Sequence, residues 1–206
     1  MEATARTVAL DLPAPDISAL EQELDILRRE LSLLKTANKE LERLVIRDTL
    51  TPLYNRRHFM NCLRDRLDRL ERHEGKCALV FIDVNSMKRI NDRFGHGAGD
   101  AALVHMARLL ANGLRSTDVA ARMGGDEFAL LLDDLDPEAV EETTRRLQRM
   151  IAESACLHEG VMLPLSISVG WTALEQGDTE FSALTRADMA MYAAKRPGST
   201  FAEAAE

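Results

Sequence analysis

Apolar residues recur at alternating intervals of three and four from Ile17 onward, through Leu20, Leu24, Leu27, Leu31 and Leu34, and then Asn38, Leu41 and Val45. That heptad repeat predicts a helix over residues 16–48 whose seam faces another helix. Ile17, Leu24, Leu31, Asn38 and Val45 take the a positions and the leucines between them the d positions. In a parallel pair, Glu23 and Glu30 at g face Arg28 and Lys35 at e, and the single polar a residue, Asn38, fixes register. A parallel homodimer is expected; the plainer alternative is one amphipathic helix lying on its own domain.

Pro52 cannot continue a helical ladder, so residues 48–57 form the hinge to a second region. Beyond it the period changes repeatedly. Phe59, Leu63, Leu67 and Leu70 sit at helical spacing, and the unbroken apolar run over 77–82 predicts a strand buried on both faces. A helix follows Gly99 and Asp100 through Leu103, Met106, Leu110 and Leu114. Strands over 119–123 and 127–132 flank Gly124 and Gly125 as a hairpin. A helix over 137–154, a strand over 165–171 and a last helix over 181–194 complete the chain. The class is α+β, in the order βαββαβ with terminal helices: the ferredoxin-like, cyclase-palm plan, an antiparallel sheet backed by helices on one face. The expected organisation is a lead over 1–15, a dimerisation helix over 16–48 and one globular domain over 49–206.

With 206 residues, 46% hydrophobic, the chain can bury one substantial core. A formal net charge of −8 argues against a nucleic-acid or anionic-membrane binder, because phosphate backbones demand a basic face. A small phosphorylated ligand remains compatible where a metal and a few placed cations screen it. Cys62, Cys77 and Cys156 lack metal-binding spacing and read as reduced core thiols. No apolar run approaches the roughly 20 residues a bilayer span needs, so membrane insertion is not expected and a cytoplasmic location is.

Asp83 ends the first buried strand, where an unpaired carboxylate is costly. Asp126 and Glu127 stand at the tip of the hairpin, beside two glycines that let a bulky ligand approach backbone. If those strands are neighbours, the acids converge on a site of hard oxygens suited to Mg²⁺. Taken singly, Asp83 reads as a helix cap and the hairpin tip as an ordinary turn.

Together they read differently. The run Arg122-Met-Gly-Gly-Asp-Glu-Phe128, the opening segment over 48–57 and the segment over 81–100 stand in one order, and the chain resembles the GGDEF family of diguanylate cyclases from about Asp48 to Gly198. The resemblance implies condensation of two GTP molecules into cyclic di-GMP with release of two pyrophosphates. It places two Mg²⁺ ions per site, with Mn²⁺ as a substitute, on Asp83, the Val84 carbonyl, Asp126 and Glu127, the last also activating the ribose 3′-hydroxyl. Asn91 and Asp100 would read guanine, and Lys88, Lys195, the backbone of Ser86 and Met87, and Gly124 and Gly125 would receive the phosphates. The bland alternatives are Asn91 as a helix C-cap, Asp100 as an N-cap and Lys88 as a solvated charge.

Arg115-Ser-Thr-Asp118 matches the family's RxxD inhibitory motif, implying that product binds at Arg115 and Asp118, with Arg146 assisting. Some positions depart from the family. Pro52 replaces a glycine, Asn85 and Met87 stand where Asp and Phe are common, and no arginine follows Gly198, a loss for which Arg122 or Arg196 could substitute. Two non-enzymatic alternatives are a receptor for GTP or cyclic di-GMP and a coiled-coil adaptor. The input signal is not legible, although a protein partner on the coil is compatible with the sequence.

Overall fold

The computed structural model describes residues 17–72 and 75–195, excluding the side chains of 17–20, 37–40 and 42–45. The lead over 1–15, the register role of Asn38, the seam positions Ile17, Leu20 and Val45, and Arg196 with the tail therefore lie outside the described residues. By backbone contacts the chain divides into Met1–Arg43 and Leu44–Glu206.

The first unit carries most of helix α1 (Ile17–Ile46), as the heptad spacing requires. Its seam leucines Leu24, Leu27, Leu31, Leu34 and Leu41 are 50–67% exposed.

In the second unit, a short β1 (Tyr54–Asn55) leads into α2 (Arg56–Arg72), β2 (Cys77–Val84), α3 (Met87–Phe94) and α4 (His96–Gly113). The hairpin β3 (Val119–Gly124) and β4 (Glu127–Asp133) follows, then α5 (Pro137–Glu153), a small hairpin of β5 (Cys156–His158) and β6 (Val161–Leu163), β7 (Ile167–Ala173) and α6 (Glu180–Ala194). The main sheet runs β1-β3-β4-β2-β7, with β1 parallel to β3 and the other pairs antiparallel. Every residue of β2 is buried. Its alternate side chains feed two cores: Val80, Ile82 and Val84 pack with α3, α4 and α5, while Leu79 and Phe81 pack with α2 and α6.

The expectation of helices on one face is thereby corrected. The two internal helices of the ferredoxin-like plan do share a face, but the terminal helices α2 and α6 cover the other. Gly170 makes one of those contacts possible, since a Cβ there would stand 1.9 Å from the Met191 backbone nitrogen, so only glycine lets α6 lie directly on β7. On the α2 side, buried Arg66 grips Asp133 at the end of β4 with two hydrogen bonds of 2.9 Å. Cys62, Cys77 and Cys156 are free, and burial raises the pKa of each, which keeps them protonated. No helix among the described residues is long and apolar enough to cross a membrane.

Candidate active site

Strands β2 and β4 are paired so that Asp83 lies directly opposite Glu127. One step on, the Val84 amide donates to the Asp126 carbonyl at 3.1 Å. The tip of the β3–β4 hairpin is made by Gly124 (φ 150°) and Gly125 (φ 54°) after a bulge, a backbone path that a side chain would strain. Directly opposed residues on antiparallel strands share a face with their Cβ atoms about 5 Å apart, so Asp83 and Glu127 point into one space. Asp83 is only 8% exposed and pairs with Lys195, whose Nζ lies 2.8 Å from Oδ1. Glu127 is exposed and Asp126 half-buried.

Immediately after β2, Ser86 adopts a left-handed conformation (φ 62°) and opens α3 without a side-chain cap. The first amides of α3 therefore stay available to an anion, the arrangement that helix N-termini offer phosphate. Asn85, Ser86, Ser168 and Lys195 line one open cleft at this edge.

Asn91 and Asp100 are brought to the α3–α4 corner. A Cβ on Gly99 would sit 2.0 Å from Asn91 Oδ1, so the amide rests against bare backbone, and Oδ1 is buried without a hydrogen-bond partner. The two bland alternatives fail here. The Gly95 amide is received by the Asn91 main-chain carbonyl, leaving the side chain uncommitted, and Asp100 lies inside α4, which begins at His96.

The Arg115–Asp118 turn closes through the Arg115 amide to Asp118 Oδ2 at 2.9 Å and the Asp118 amide back to the Arg115 carbonyl at 3.1 Å. Asp118 Oδ1 is buried and unpartnered, and the Arg115 side chain is exposed. Arg146 reaches the Gly113 carbonyl at 2.7 Å, which brings it to the same end of α4. This turn precedes β3 while the glycine pair ends it, so the strand rise separates the two sites by about 20 Å.

Asp48 carries no expected role in the sequence, and Arg122 is expected there only as a spare phosphate contact. Arg122 is committed elsewhere: Nε and Nη2 donate to the Gly125 carbonyl at 2.9 and 2.8 Å, and Nη1 lies 3.4 Å from Asp48 Oδ1. Asp48 also accepts from the Thr51 amide and hydroxyl, both at 2.8 Å. Burial raises the Asp48 pKa, but the Thr51 hydrogen bonds and the Arg122 charge outweigh it, and the net shift is downward. The glycine turn is thus clamped to the opening segment of the domain. The Asp-x-x-Thr spacing, which favours a side-chain-capped turn, was the available signal.

Among the described residues, no three His, Cys, Asp or Glu side chains gather into a cage for a metal. The hard oxygens at the β2–β4 edge nevertheless fit Mg²⁺, which takes one or two carboxylates and completes its shell with water and substrate phosphates.

Residues 45–200 match the family described as diguanylate cyclase, GGDEF domain. The chain belongs to the GGDEF family. It is 38% identical over 185 residues to diguanylate cyclase TpbB of Pseudomonas aeruginosa, covering 88% of this chain and 41% of that protein. With the probable diguanylate cyclase DgcC of Escherichia coli it shares 35% over 168 residues, 81% of this chain and 45% of the relative. The chain thus spans less than half of the length of these curated relatives. The coiled coil and GGDEF domain of Caulobacter crescentus DgcB, solved with c-di-GMP, superposes with a TM-score of 0.81 at 25% identity, covering 90% of this chain and all of that one. Pseudomonas aeruginosa SiaD, solved with its activator SiaC, gives 0.75 at 34% identity, over 88% and 70% of the two chains. The GGDEF signature itself is the β3–β4 tip described above.

Proposed function

We propose that the chain is a Mg²⁺-dependent, homodimeric diguanylate cyclase that joins two GTP molecules into cyclic di-GMP and releases two pyrophosphates. The observation that carries this reading is the direct opposition of Asp83 and Glu127 across β2 and β4, beside an uncapped helix N-terminus.

In each half-reaction a ribose 3′-hydroxyl attacks the α-phosphorus of the facing GTP, a new P–O bond forms, and pyrophosphate leaves. When bound, Mg²⁺ neutralises triphosphate charge and increases the acidity of the hydroxyl. Asp83, the Val84 carbonyl, Asp126 and Glu127 are the groups that would hold it. The Ser86 and Met87 amides, Lys88 and Lys195 receive phosphate oxygens, and the two turn glycines leave room for them. Asn91 Oδ1 accepts from a guanine N–H, which relieves its unpartnered burial, and Asp100 accepts from the same edge. Glu127 takes the hydroxyl proton.

Each domain carries one GTP, so turnover needs two domains face to face, and α1 supplies the second by pairing its exposed leucine seam with that of another copy. Product held by Arg115, Asp118 and Arg146 would keep the domains apart and inhibit. SiaD was solved with its activator SiaC, and by analogy a protein partner on the helix would supply the input here.

The test is incubation of purified protein with GTP and Mg²⁺ while product is continuously removed. Cyclic di-GMP is expected from the parent, and Glu127→Gln is expected to lose roughly 100-fold or more while remaining dimeric. A parent that binds GTP without forming product would make the chain a nucleotide receptor.

A further inference from the structure

Lys195 and Asp83 form an ion pair at the edge of the candidate site. Lys195 follows α6 directly, and its amide still donates to the Met191 carbonyl at 3.0 Å, so its backbone is fixed to the helix. That helix in turn rests on β7 at Gly170. What can move is the long side chain, a compact ammonium on a flexible four-carbon stem. Its Nζ lies 2.8 Å from Asp83 Oδ1, with the Lys195 side chain 41% and the Asp83 side chain 11% exposed. Asp83 also faces Glu127 across the strands, so the ammonium pairs with an acid that has a second carboxylate as its cross-strand neighbour.

A divalent cation on the same oxygen competes with the ammonium, because the two positive charges repel at such short range and both draw on one lone-pair-bearing atom. Displacement of the ammonium relieves that competition as the cation enters. The cleft it lines with Asn85 and Ser86 leads to the open amides of α3, where a triphosphate would give it a new anion.

We propose that Lys195 is a positioning residue that holds Asp83 until cation and nucleotide arrive together, making divalent-cation binding conditional on the triphosphate. This rests on Asp83 being a cation ligand, as assigned above. Because coupling between two ligands is reciprocal, the cation raises nucleotide affinity by the same factor.

Mn²⁺ binding to the whole chain, followed by electron paramagnetic resonance without nucleotide, tests the role directly. The parent is expected to bind weakly, Lys195→Met about tenfold more tightly, and Lys195→Arg, which keeps the charge, like the parent. Adding Asp83→Asn to Lys195→Met should abolish the gain. Equal Mn²⁺ affinity in parent and Lys195→Met overturns the role of Lys195, and leaves Asp83 as a ligand provided Asp83→Asn still weakens Mn²⁺ binding beside a non-hydrolysable GTP analogue. No dependence on Asp83 in either condition overturns the site assignment and this role together.

Discussion

Asp83 is the one acid in a strand of eight buried residues, and there it pairs with Lys195 beside an open cleft. Its meaning was legible from sequence, since a carboxylate ending an apolar run needs a partner. The partner across the sheet was legible only once the glycine pair marked a hairpin. Asp48 and Arg122 show the opposite case, because a salt bridge between residues 74 positions apart leaves no periodic trace in a single sequence. Their clamp should be measurable. Truncating Asp48 to Ala leaves the Thr51 amide and hydroxyl without their acceptor and Arg122 Nη1 without its ion-pair partner, at a cost of about 2 kcal/mol near neutral pH. The folded-state pKa of Asp48 is lowered, so its contribution is complete above the ordinary carboxylate range and fades as pH falls through the folded value. Chemical unfolding should show a parent–variant gap that is full at pH 7 and shrinks in acid; a gap unchanged down to pH 2 would contradict the clamp.

At the scale of elements, the sequence identified long periodic segments and missed short ones. α5, α6 and the strands of the central hairpin lie within about two residues of their expected bounds, and α2 extends the expected Phe59–Leu70 periodicity at both ends. β1 has two residues, and β5 and β6 three each, too few for alternation to register. α3 and α4 are split at Gly95 (φ 84°), and α4 starts three residues before the expected Gly99, because the Asn91–Gly99 packing sets the corner and polar periodicity does not report it. Periodicity also shows that a helix face is apolar without showing which layer covers it, which is why the second helical face of the sheet was missed. The α4–β3 turn carries its own prediction. Arg115→Ala should raise the cyclic di-GMP concentration needed for half-inhibition by about tenfold or more with little change in initial rate, read from progress curves with and without added product. Inhibition identical to the parent would remove the turn from feedback.

For the whole molecule, the proposed reaction links the leucine seam of α1 to the candidate site by stoichiometry, because each domain would hold one nucleotide and the product contains two. Deleting residues 1–43 should leave the second unit folded, since it has its own two cores. Sedimentation should then report a monomer, and turnover at micromolar protein should fall by 10²-fold or more as the effective concentration of the second domain is lost. A truncated domain that keeps full activity as a monomer would exclude the facing-domain scheme.

In the proposed site, Asp83 and the glycine-tipped hairpin would gather a divalent cation and a GTP triphosphate at one edge of the sheet. Anomalous scattering from crystals grown with Mn²⁺ and a non-hydrolysable GTP analogue addresses it directly. Manganese is expected in contact with Asp83 and the triphosphate, with Lys195 turned to a phosphate oxygen. Manganese and triphosphate bound away from this edge, with Lys195 still on Asp83, would contradict it.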